Sequence, residues 1–431
     1  MARTVGHFWP EWSIWLRRLQ DTRVQDDITY PRQFLIWEAL MAFLLKLGSR
    51  RQVRFELDSP EALANLNSLS GCAMEARAHS DTLEHFLGHV PPGALDDLRQ
   101  RMIQRLLRMK ALEHGRLLGH YLIVLDGTGQ LYFRQRHCRH CLTAVVAGQI
   151  RYYHHVLEAK LVTPAGLALS IGSEYIENAD PQATKQDCEL KAFARLVPRL
   201  KKQYPQLQIC LLLDGLYACG RVFQTCADYH WKYLVTFKEG SLPAVWQEYQ
   251  TLGEQCPANR KNACGGPQDQ PQKLAWVEGL EYRDEQNRRH RFQALECREG
   301  HVPALRRFAW LTNFRVTDQN VATLVNRGGR CRWKIENEGF NIQKNGGFNL
   351  EHAYSTATVP MKNWYVLLQI AHTILQLLER GSLLGAPCQQ LFGSLRNLAR
   401  RLAESLRNRL ISPEALDAAA AAIIQIRLDS A

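Results

Sequence analysis

The sequence predicts an α/β fold in which a core containing a sheet is flanked by helical regions at both ends. Two continuous apolar runs, Tyr121 to Leu125 and Leu207 to Leu213, have the length and composition of strands buried on both faces of a sheet. Apolar residues recur at helical spacing before residue 118 and after residue 359. With 431 residues, 46% of them hydrophobic, the chain is long enough for two or three domains.

Composition narrows the class of partner and the compartment. The formal net charge is +12, which favours a polyanion such as DNA or RNA, although a basic soluble protein without one is the alternative. Twelve cysteines without framework spacing predict reduced thiols. The N-terminus lacks the layout of a signal peptide, and the apolar runs from Phe34 to Leu45 and from Trp364 to Leu378 contain polar residues. We therefore expect a soluble protein of the bacterial cytoplasm, associated with the nucleoid and with no membrane partner.

Residues 1–118 are predicted to be helical. Gln33 to Leu47 is an apolar helix, and Ser59 followed by Pro60 is a helix start with a capping side chain. The stretch from Ala94 to Leu112 places leucines at helical spacing among arginines and lysines. Its basic face could lie along a phosphate backbone or be an ordinary solvated face.

Residues 119–238 are predicted to form the first part of the core. The predicted elements are strands at Tyr121–Leu125, Tyr152–Thr163 and Gly166–Ser173, a helix from Asp180-Pro181 through about Lys185 to Tyr204, a strand at Leu207–Leu213, a helix at Ala218–Tyr229 and a strand at Lys232–Phe237. Pro164-Ala165-Gly166 indicates a hairpin. Three strands in a meander, followed by alternating helices and strands, are the order of a ribonuclease-H-like core.

The remaining segments complete this organisation. Residues 239–305 turn polar, include Gly265-Gly266-Pro267, and are predicted to be a β-rich insertion. Residues 306–358 return to the core with a strand at Arg307–Phe314 and a helix that carries Glu336. Residues 359–431 are predicted to be a C-terminal helical region, including the run Ala418 to Ala422.

Three carboxylates stand out as candidate catalytic and metal-binding residues. Asp126 and Asp214 each end an apolar strand and are each followed by glycine, and Glu336 lies on a helix between the cations Arg332 and Lys344. Open α/β sheets place ligands at the carboxyl ends of strands. Two divalent metals about 3.5–4 Å apart can activate a water or a 3′-hydroxyl for attack on a phosphodiester. Asp-Gly is also a common turn dipeptide, so each aspartate alone is weak and the three together carry the prediction.

These motifs resemble those of the DDE transposases of bacterial insertion sequences, in the cut-and-paste subgroup with a β-strand insertion between the second Asp and the Glu. The resemblance covers roughly residues 85–380. It rests on Leu125-Asp126-Gly127-Thr128, on Leu213-Asp214-Gly215, and on Arg332-Trp333-Lys334-Ile335-Glu336 followed by Lys344, which is similar to the Tyr-Arg-Glu-Lys signature of that subgroup.

The resemblance implies a catalytic site and its cofactor. Asp126, Asp214 and Glu336 would hold two Mg²⁺ ions, with Mn²⁺ as a substitute, and Asp126 would contact both ions. Arg332 would grip a terminal phosphate as a bidentate donor. The sequence departs from the signature twice. The tyrosine position holds Gly329, and the lysine falls one residue late, as Lys344.

Further candidate DNA-binding residues lie around this site. Phe308 and Trp310 share a strand face, where they would stack a flipped base for about 1–3 kcal/mol, or else be core aromatics. Arg134 and Arg136 follow the first aspartate strand and are candidate phosphate contacts, together with Arg139.

The cluster His137-Cys138-Arg139-His140-Cys141 contains one CxxC pair. Cys138 and Cys141 could hold zinc if His154 and His155 supplied the other ligands. A structural zinc usually needs two clear ligand pairs, and a basic loop that faces DNA or solvent explains the same residues. The sequence favours the loop.

The function expected from the resemblance is a transposase that cleaves double-stranded DNA at terminal inverted repeats and joins the 3′-hydroxyl ends to target DNA. Two protomers would act as a homodimer in a synaptic complex, and residues 1–118 would bind the DNA ends. The alternatives are a DNA-binding regulator without catalysis and a ribonuclease-H-like nuclease without strand transfer.

Overall fold

The computed structural model describes the chain apart from residues 179–185, 256–257, 267–268, 301–304, 385–387, 413, 416, 419–424 and 429–431. Its centre is one large mixed sheet. The strands of the described residues are β1 (Tyr121–Phe133), β2 (Leu142–Val146), β3 (Gln149–Val162), β4 (Ala168–Ile176), β5 (Ile209–Leu213), β6 (Lys232–Thr236), β7 (Arg260–Gly265), β8 (Gln270–Arg283), β9 (Arg289–Glu299) and β10 (Arg306–Thr312).

The strand order is β2-β3-β1-β5-β6-β10-β9-β8-β7, with β4 also paired to β3. β1, β5 and β6 run parallel, whereas β1 and β3, β3 and β4, and β6 and β10 are antiparallel. β5 and the first half of β1 are fully buried, as their uninterrupted apolar sequences predict. The mixed α/β class expected from the sequence is confirmed.

Helices cover the sheet and form a layer beside it. Those of the described residues are α1 (Ala2–Phe8), α2 (Trp12–Arg17), α3 (Arg32–Leu44), α4 (Arg50–Glu56), α5 (Pro60–Ser70), α6 (Ser80–His89), α7 (Ala94–Arg108), α8 (Glu189–Gln203), α9 (Gly220–Asp228), α10 (Pro243–Gln255), α11 (Val321–Thr323), α12 (Asn341–Asn345), α13 (Thr358–Arg380), α14 (Cys388–Phe392) and α15 (Leu395–Asn408). The predicted start of α5 is correct, because the Ser59 hydroxyl accepts a hydrogen bond from the Ala62 amide at 3.1 Å.

The N-terminal and C-terminal helical regions pack together. α13 contacts α3, α6 and α7 as well as β4. α3 is buried at every position from Phe34 to Leu44, and its Phe43 ring lies 5.8 Å from the Trp364 ring of α13. α15 packs on α5. The two regions predicted as separate flanks therefore share one apolar interior.

The predicted β-rich insertion extends the core sheet. β9 pairs with β10, and β10 pairs with β6 of the first half of the core. β8 and β7 continue outward from β9, and α10 packs on β8. The helix α10 and the strand β2 are elements that the sequence did not predict.

Several predicted boundaries differ from the structure. β1 continues past Leu125 to Phe133, because its second half pairs with β3. The helix expected from about residue 185 begins at Glu189. Asp180-Pro181, Pro267 and most of the alanine run at 418–422 lie outside the described residues. Among the helices that the structure describes, none is long and apolar enough to cross a bilayer.

The helix predicted around Glu336 is irregular. Residues 321–345, which we call the signature segment, pass from α11 to a π-helical turn at Leu324–Gly328, a 3-10 turn at Gly329–Trp333, a second π-helical turn at Ile335–Phe340, and α12. Such π-helical turns are rare in proteins, and those that occur are often found at functional sites.

Candidate active site

The two candidate aspartates lie side by side. In the parallel pairing of β1 and β5, Val124 stands opposite Leu212, an offset of 88 residues. The same offset, two residues further on, places Asp126 opposite Asp214. Adjacent strands are about 4.8 Å apart, so the two aspartates occupy neighbouring places on the sheet at the carboxyl end of β5. Asp214 directly follows the last residue of β5, whereas Asp126 lies within β1, two residues past the last parallel pair.

The glycine after each aspartate is needed for space. A Cβ on Gly127 would lie 2.8 Å from the Glu189 carboxyl carbon and 2.9 Å from the His155 ring. A Cβ on Gly215 would lie 2.7 Å from the Ser241 hydroxyl. The Asp-Gly pairs therefore let neighbouring elements approach the carboxylates closely, which an ordinary turn would not require.

The signature segment brings the third carboxylate. Its 3-10 turn contacts β5 and β6, and its second π-turn contacts β1 and β4. Ile335 and Phe340 are buried beneath the segment, whereas Glu336 is exposed. One turn before Glu336, Arg332 donates a hydrogen bond from Nη1 to Asp126 Oδ2 at 3.2 Å. The segment is thus fixed by apolar contacts and presents its charged side to the aspartates.

The other two carboxylates contribute to the electrostatic environment of Asp126. Burial raises the pKa of the Asp126 carboxyl, Arg332 lowers it, and the charges of Asp214 and Glu336 raise it. The Asp126 carboxylate also accepts a hydrogen bond from the Gly127 amide at 3.0 Å. Like charges held this close disfavour one another unless a cation joins them.

Glu189 is a fourth acidic residue that sequence reasoning missed. Burial raises the pKa of the Glu189 carboxyl, a hydrogen bond from Tyr217 lowers it, and the charges of Asp126 and Asp214 raise it. The Tyr217 hydroxyl donates to Glu189 Oε2 at 3.0 Å. Glu189 opens α8, so the sequence offered a first-turn glutamate as its only signal, and that is a common feature of helix starts.

Arg332 and Lys344 occupy different parts of the site. The Arg332 guanidinium lies 4.5 Å from the centre of the Trp333 ring, which is 52% exposed. Lys344 forms an ion pair with Glu351 at 3.4 Å. It also lies close to His155, whose pKa is lowered by burial and then by the Lys344 charge. Trp333 is therefore an exposed aromatic beside the carboxylates that was not among the predicted DNA-binding residues.

Phe308 and Trp310 share a face of β10 as expected, with their rings stacked at 6.1 Å. Trp310 is 4% exposed, and Phe308 is half-buried with the Arg330 guanidinium 5.0 Å from its ring centre. A Cβ on Gly329 would lie 2.7 Å from Trp310 Nε1. In this conformation Trp310 is a core aromatic, and its indole fills the space that a side chain at position 329 would need.

Arg134 and Arg136 are exposed on the loop that follows β1. The Arg136 guanidinium lies 5.1 Å from the centre of the Tyr152 ring. Seven residues of β1 lie between Asp126 and Arg134, so the two are at most roughly 26 Å apart at about 3.3 Å per residue step. That span is shorter than one turn of duplex DNA, about 34 Å, so one duplex could reach both places.

The residues present fit a hard divalent cation. The three carboxylates, with Glu189 beside them, offer oxygen atoms of the kind that Mg²⁺ prefers. Burial first, and then the charges of Asp214 and Glu336, raise the pKa of the Asp126 carboxyl, and a bound cation would offset both effects.

Comparison with known proteins gives a structural likeness. Neither a known family model nor a curated protein matches the sequence. Among solved structures, this chain is similar to the cryo-EM structure of a piggyBac transposase synaptic complex with hairpin DNA. The alignment covers 98% of this chain and 82% of the piggyBac chain, with 11% sequence identity and a TM-score of 0.43.

Proposed function

We propose that this protein is a DNA transposase that uses Asp126, Asp214 and Glu336 for metal-dependent phosphoryl transfer. The observation that carries the proposal is the convergence of these three carboxylates with Arg332 at one edge of the sheet. Residues 126, 214 and 336 are far apart in sequence, and a fold that had no use for them together would separate like charges.

The proposal includes a ribonuclease-H-like core. It is supported by the meander of β1, β3 and β4, by the parallel strands β5 and β6 that follow it, and by the helices α8 and α9 between them. β2 is an added hairpin strand that leaves this order intact. β7 to β9 are inserted between Asp214 and Glu336, as expected for the subgroup that the sequence resembles.

Each residue of the site has a role in the proposed chemistry. Asp126, Asp214 and Glu336 would hold two Mg²⁺ ions, with Mn²⁺ as a substitute and Glu189 nearby. Bound metal would supply a more acidic attacking water or hydroxyl and stabilise the leaving oxygen. Arg332, which pairs with Asp126 in this structure, would donate to the phosphate next to the cleaved bond. Lys344 would add positive charge on the His155 side.

The substrate would be double-stranded DNA at terminal inverted repeats and then target DNA. Attack by water at the transposon end would release a 3′-hydroxyl. Attack by that hydroxyl on a target phosphodiester would join the two DNAs and release a new 3′ oxygen. The net charge of +12 and the exposed Arg134 and Arg136 support binding to the DNA backbone. We propose that a homodimer holds two ends, in the bacterial cytoplasm at the nucleoid.

Base stacking at the cleaved end is a separate part of the proposal. Trp333 is exposed beside Arg332, whereas Trp310 is buried, so Trp333 is the better-placed aromatic in this conformation. Phe308 and Trp310 would take part after a rearrangement of the signature segment around Gly329.

The test uses the intact protein, Mg²⁺ and labelled duplexes made from the inverted repeats that flank its gene. We expect nicks at the repeat ends, followed by joined products. Asp126→Asn, Asp214→Asn and Glu336→Gln should each slow cleavage roughly a thousandfold or more, since several kcal/mol of stabilisation are lost, while DNA binding persists. Glu254→Gln, on the exposed side of α10, is the matched control.

The alternatives give different products in the same assay. Cleavage without joining would favour a nuclease, and binding without cleavage would favour a regulator. Normal cleavage by any one of the three variants would remove that residue from the site.

A further inference from the structure

A second cluster of ligand atoms lies at the base of the β2–β3 hairpin. It consists of His137, Cys138 and Cys141 from the loop between β1 and β2, and His154 from β3. One ligand atom from each lies within 4.8 Å of all the others. Cys141 is 0% exposed and His154 is 1% exposed. Two cysteines and two histidines facing one another in a protected place are metal-ligand chemistry.

Four distances within the cluster are close to those around a tetrahedral zinc ion, and His137 Nδ1 also lies 3.2 Å from Cys141 Sγ. The two sulfurs are 3.5 Å apart, His154 Nε2 lies 3.5 Å from Cys138 Sγ and 3.8 Å from Cys141 Sγ, and the two Nε2 atoms are 3.3 Å apart. Zinc bonds of about 2.3 Å to sulfur and about 2.05 Å to nitrogen require roughly 3.8 Å between sulfurs, 3.5 Å from sulfur to nitrogen and 3.3 Å between nitrogens. The sulfurs are too far apart for a disulfide, whose bond is about 2.05 Å.

The surroundings of His154 fit a ligand. Its Nδ1, on the side of the ring away from the cluster, lies 4.0 Å from Glu177 Oε1. Both atoms are buried without a hydrogen-bond partner, and Glu177 is held by Lys362 at 2.7 Å. A carboxylate behind a histidine ligand is the usual way to fix the ring and its tautomer in metal sites.

We propose that His137, Cys138, Cys141 and His154 bind one structural zinc ion. Thiolate and imidazole ligands select zinc over the oxygen-preferring Mg²⁺ of the candidate active site. Four protein ligands fill a tetrahedral site, so this ion is structural. The sequence favoured a basic loop over zinc and offered His154 and His155 as possible ligands. In the structure His155 faces Gly127 and the active site, and His137 takes its place.

The ion would fix the loop that carries the exposed arginines. Residues 134–141 form the loop after β1, and three of the four ligands belong to this loop while the fourth, His154, belongs to β3. A zinc ion would therefore hold the loop, with its arginines at 134, 136 and 139, against β3. This role in presenting arginines to phosphate rests on the proposed function. The zinc site itself does not, because its ligands and its readouts are independent of DNA cleavage.

The test begins with metal content. The full chain is purified under reducing conditions without a metal-affinity tag, and bound metal is measured by mass spectrometry of the elements. We expect about one zinc per chain. Replacement by Co²⁺ should give the visible absorption bands of tetrahedral, thiolate-bound cobalt. Less than about a tenth of an equivalent after zinc is offered, or a Cys138–Cys141 disulfide in the reduced preparation, would overturn the proposal.

Variants locate the ion. Cys138→Ser and His154→Gln should lose zinc, whereas His140→Gln and Cys264→Ser should keep it. His140 belongs to the same loop, but its Nδ1 bonds the Asn178 carbonyl at 3.0 Å, and Cys264 is exposed on β7. If a ligand variant fails to fold, the proposal is tested instead by the rate at which the thiols of the wild-type protein react with a thiol reagent. A strong chelator should expose two additional fast-reacting thiols in the wild type, and an unchanged count would contradict the site.

Discussion

At the scale of single residues, the structure changes the meaning of Gly329. In the sequence it stands where the signature of the transposases that this chain resembles has a tyrosine. Its backbone is helical, with φ of −52°, so glycine is not required by conformation. The reason is the Trp310 indole, which occupies the space that a Cβ would need. The absence of a side chain at position 329 and the burial of Trp310 are therefore linked, because the indole fills the space that the side chain would occupy.

This arrangement predicts the effect of restoring the tyrosine. Gly329→Tyr should lower the free energy of unfolding by about 1–3 kcal/mol, because it overpacks a filled site. With Trp310→Ala also present, the cost should be smaller than the sum of the two single changes. Urea unfolding of the two single variants and the double variant measures this coupling. Gly240→Ala, where a Cβ meets open space, is the control, and strict additivity would contradict the contact.

Glu189 gives a second residue-scale prediction. Glu189→Gln should lower cleavage about 10–100-fold at limiting Mg²⁺ and raise the Mg²⁺ concentration needed for half-maximal cleavage, because one nearby negative charge is removed. Saturating Mg²⁺ should restore part of the rate, which a catalytic-ligand variant such as Asp126→Asn should not show. A Mg²⁺ titration followed by product gels provides the measurement. Wild-type Mg²⁺ dependence in Glu189→Gln would exclude this role.

At the scale of elements, continuous apolar runs in the sequence predict strands correctly, whereas segments without such a run are predicted poorly. The strands β5 and β6 and the β3–β4 hairpin follow their patterns, because burial on both faces leaves little choice of residue. β2 was missed because exposed valines at 145 and 146 do not alternate like a half-buried strand. The π-turns were missed because no sequence signal separates them from an α-helix.

The same reasoning applies to the candidate sites. Asp126, Asp214 and Glu336 could be predicted because each follows or lies on a recognisable element. Glu189 could not, because its proximity to the aspartates depends on how distant elements cross. Trp333 and His137 lie next to the predicted residues Arg332 and Cys138, but only the structure shows that Trp333 is exposed and that His137 faces the other ligand atoms. The offset between β1 and β5, which aligns the two aspartates, is likewise a tertiary property.

The helix α15 carries an element-scale prediction about DNA binding. Leu398, Ala403 and Leu406 pack inward, so Arg396, Arg400 and Arg401 face solvent. Replacing these three by glutamine should reduce the salt dependence of DNA binding by up to about 2.7 in the slope of log K against log salt, since each phosphate contact contributes about 0.9.

The measurement is fluorescence anisotropy of a labelled duplex over a range of salt concentrations. Arg17→Gln with Arg18→Gln, at the exposed end of α2, is the control for lost charge elsewhere. An unchanged slope in the triple variant would mean that the face of α15 does not meet DNA.

At the scale of the whole molecule, the core and the insertion are joined through one sheet. β10 lies between β6 of the first half of the core and β9 of the insertion. The signature segment follows β10 and returns to β1 and β5. The position of Glu336 therefore depends on both parts, although the sequence shows the insertion only as a polar segment between two parts of the core.

The helical regions are joined in the same way. Arg99 of α7 is buried and donates hydrogen bonds of 2.7 Å to Ser170 and Ser173 of β4. It also lies 3.8 Å from the Glu158 carboxylate of β3, to which the buried Tyr365 hydroxyl of α13 donates. A buried charge that loses its partners is costly, about 3–5 kcal/mol, so separating residues 1–118 from the rest would expose or orphan this network.

This predicts that residues 1–118 do not fold as an independent end-binding module. Expressed separately, the fragments 1–118 and 119–431 should each be insoluble or unfolded, because α3 and α13 would expose apolar faces that they now bury against each other. Co-expressed, the two fragments should assemble into a complex with the circular dichroism spectrum of the intact chain. A fragment 1–118 that unfolds cooperatively and binds end DNA alone would show instead that the shared interior is dispensable and that end recognition resides in one separable domain.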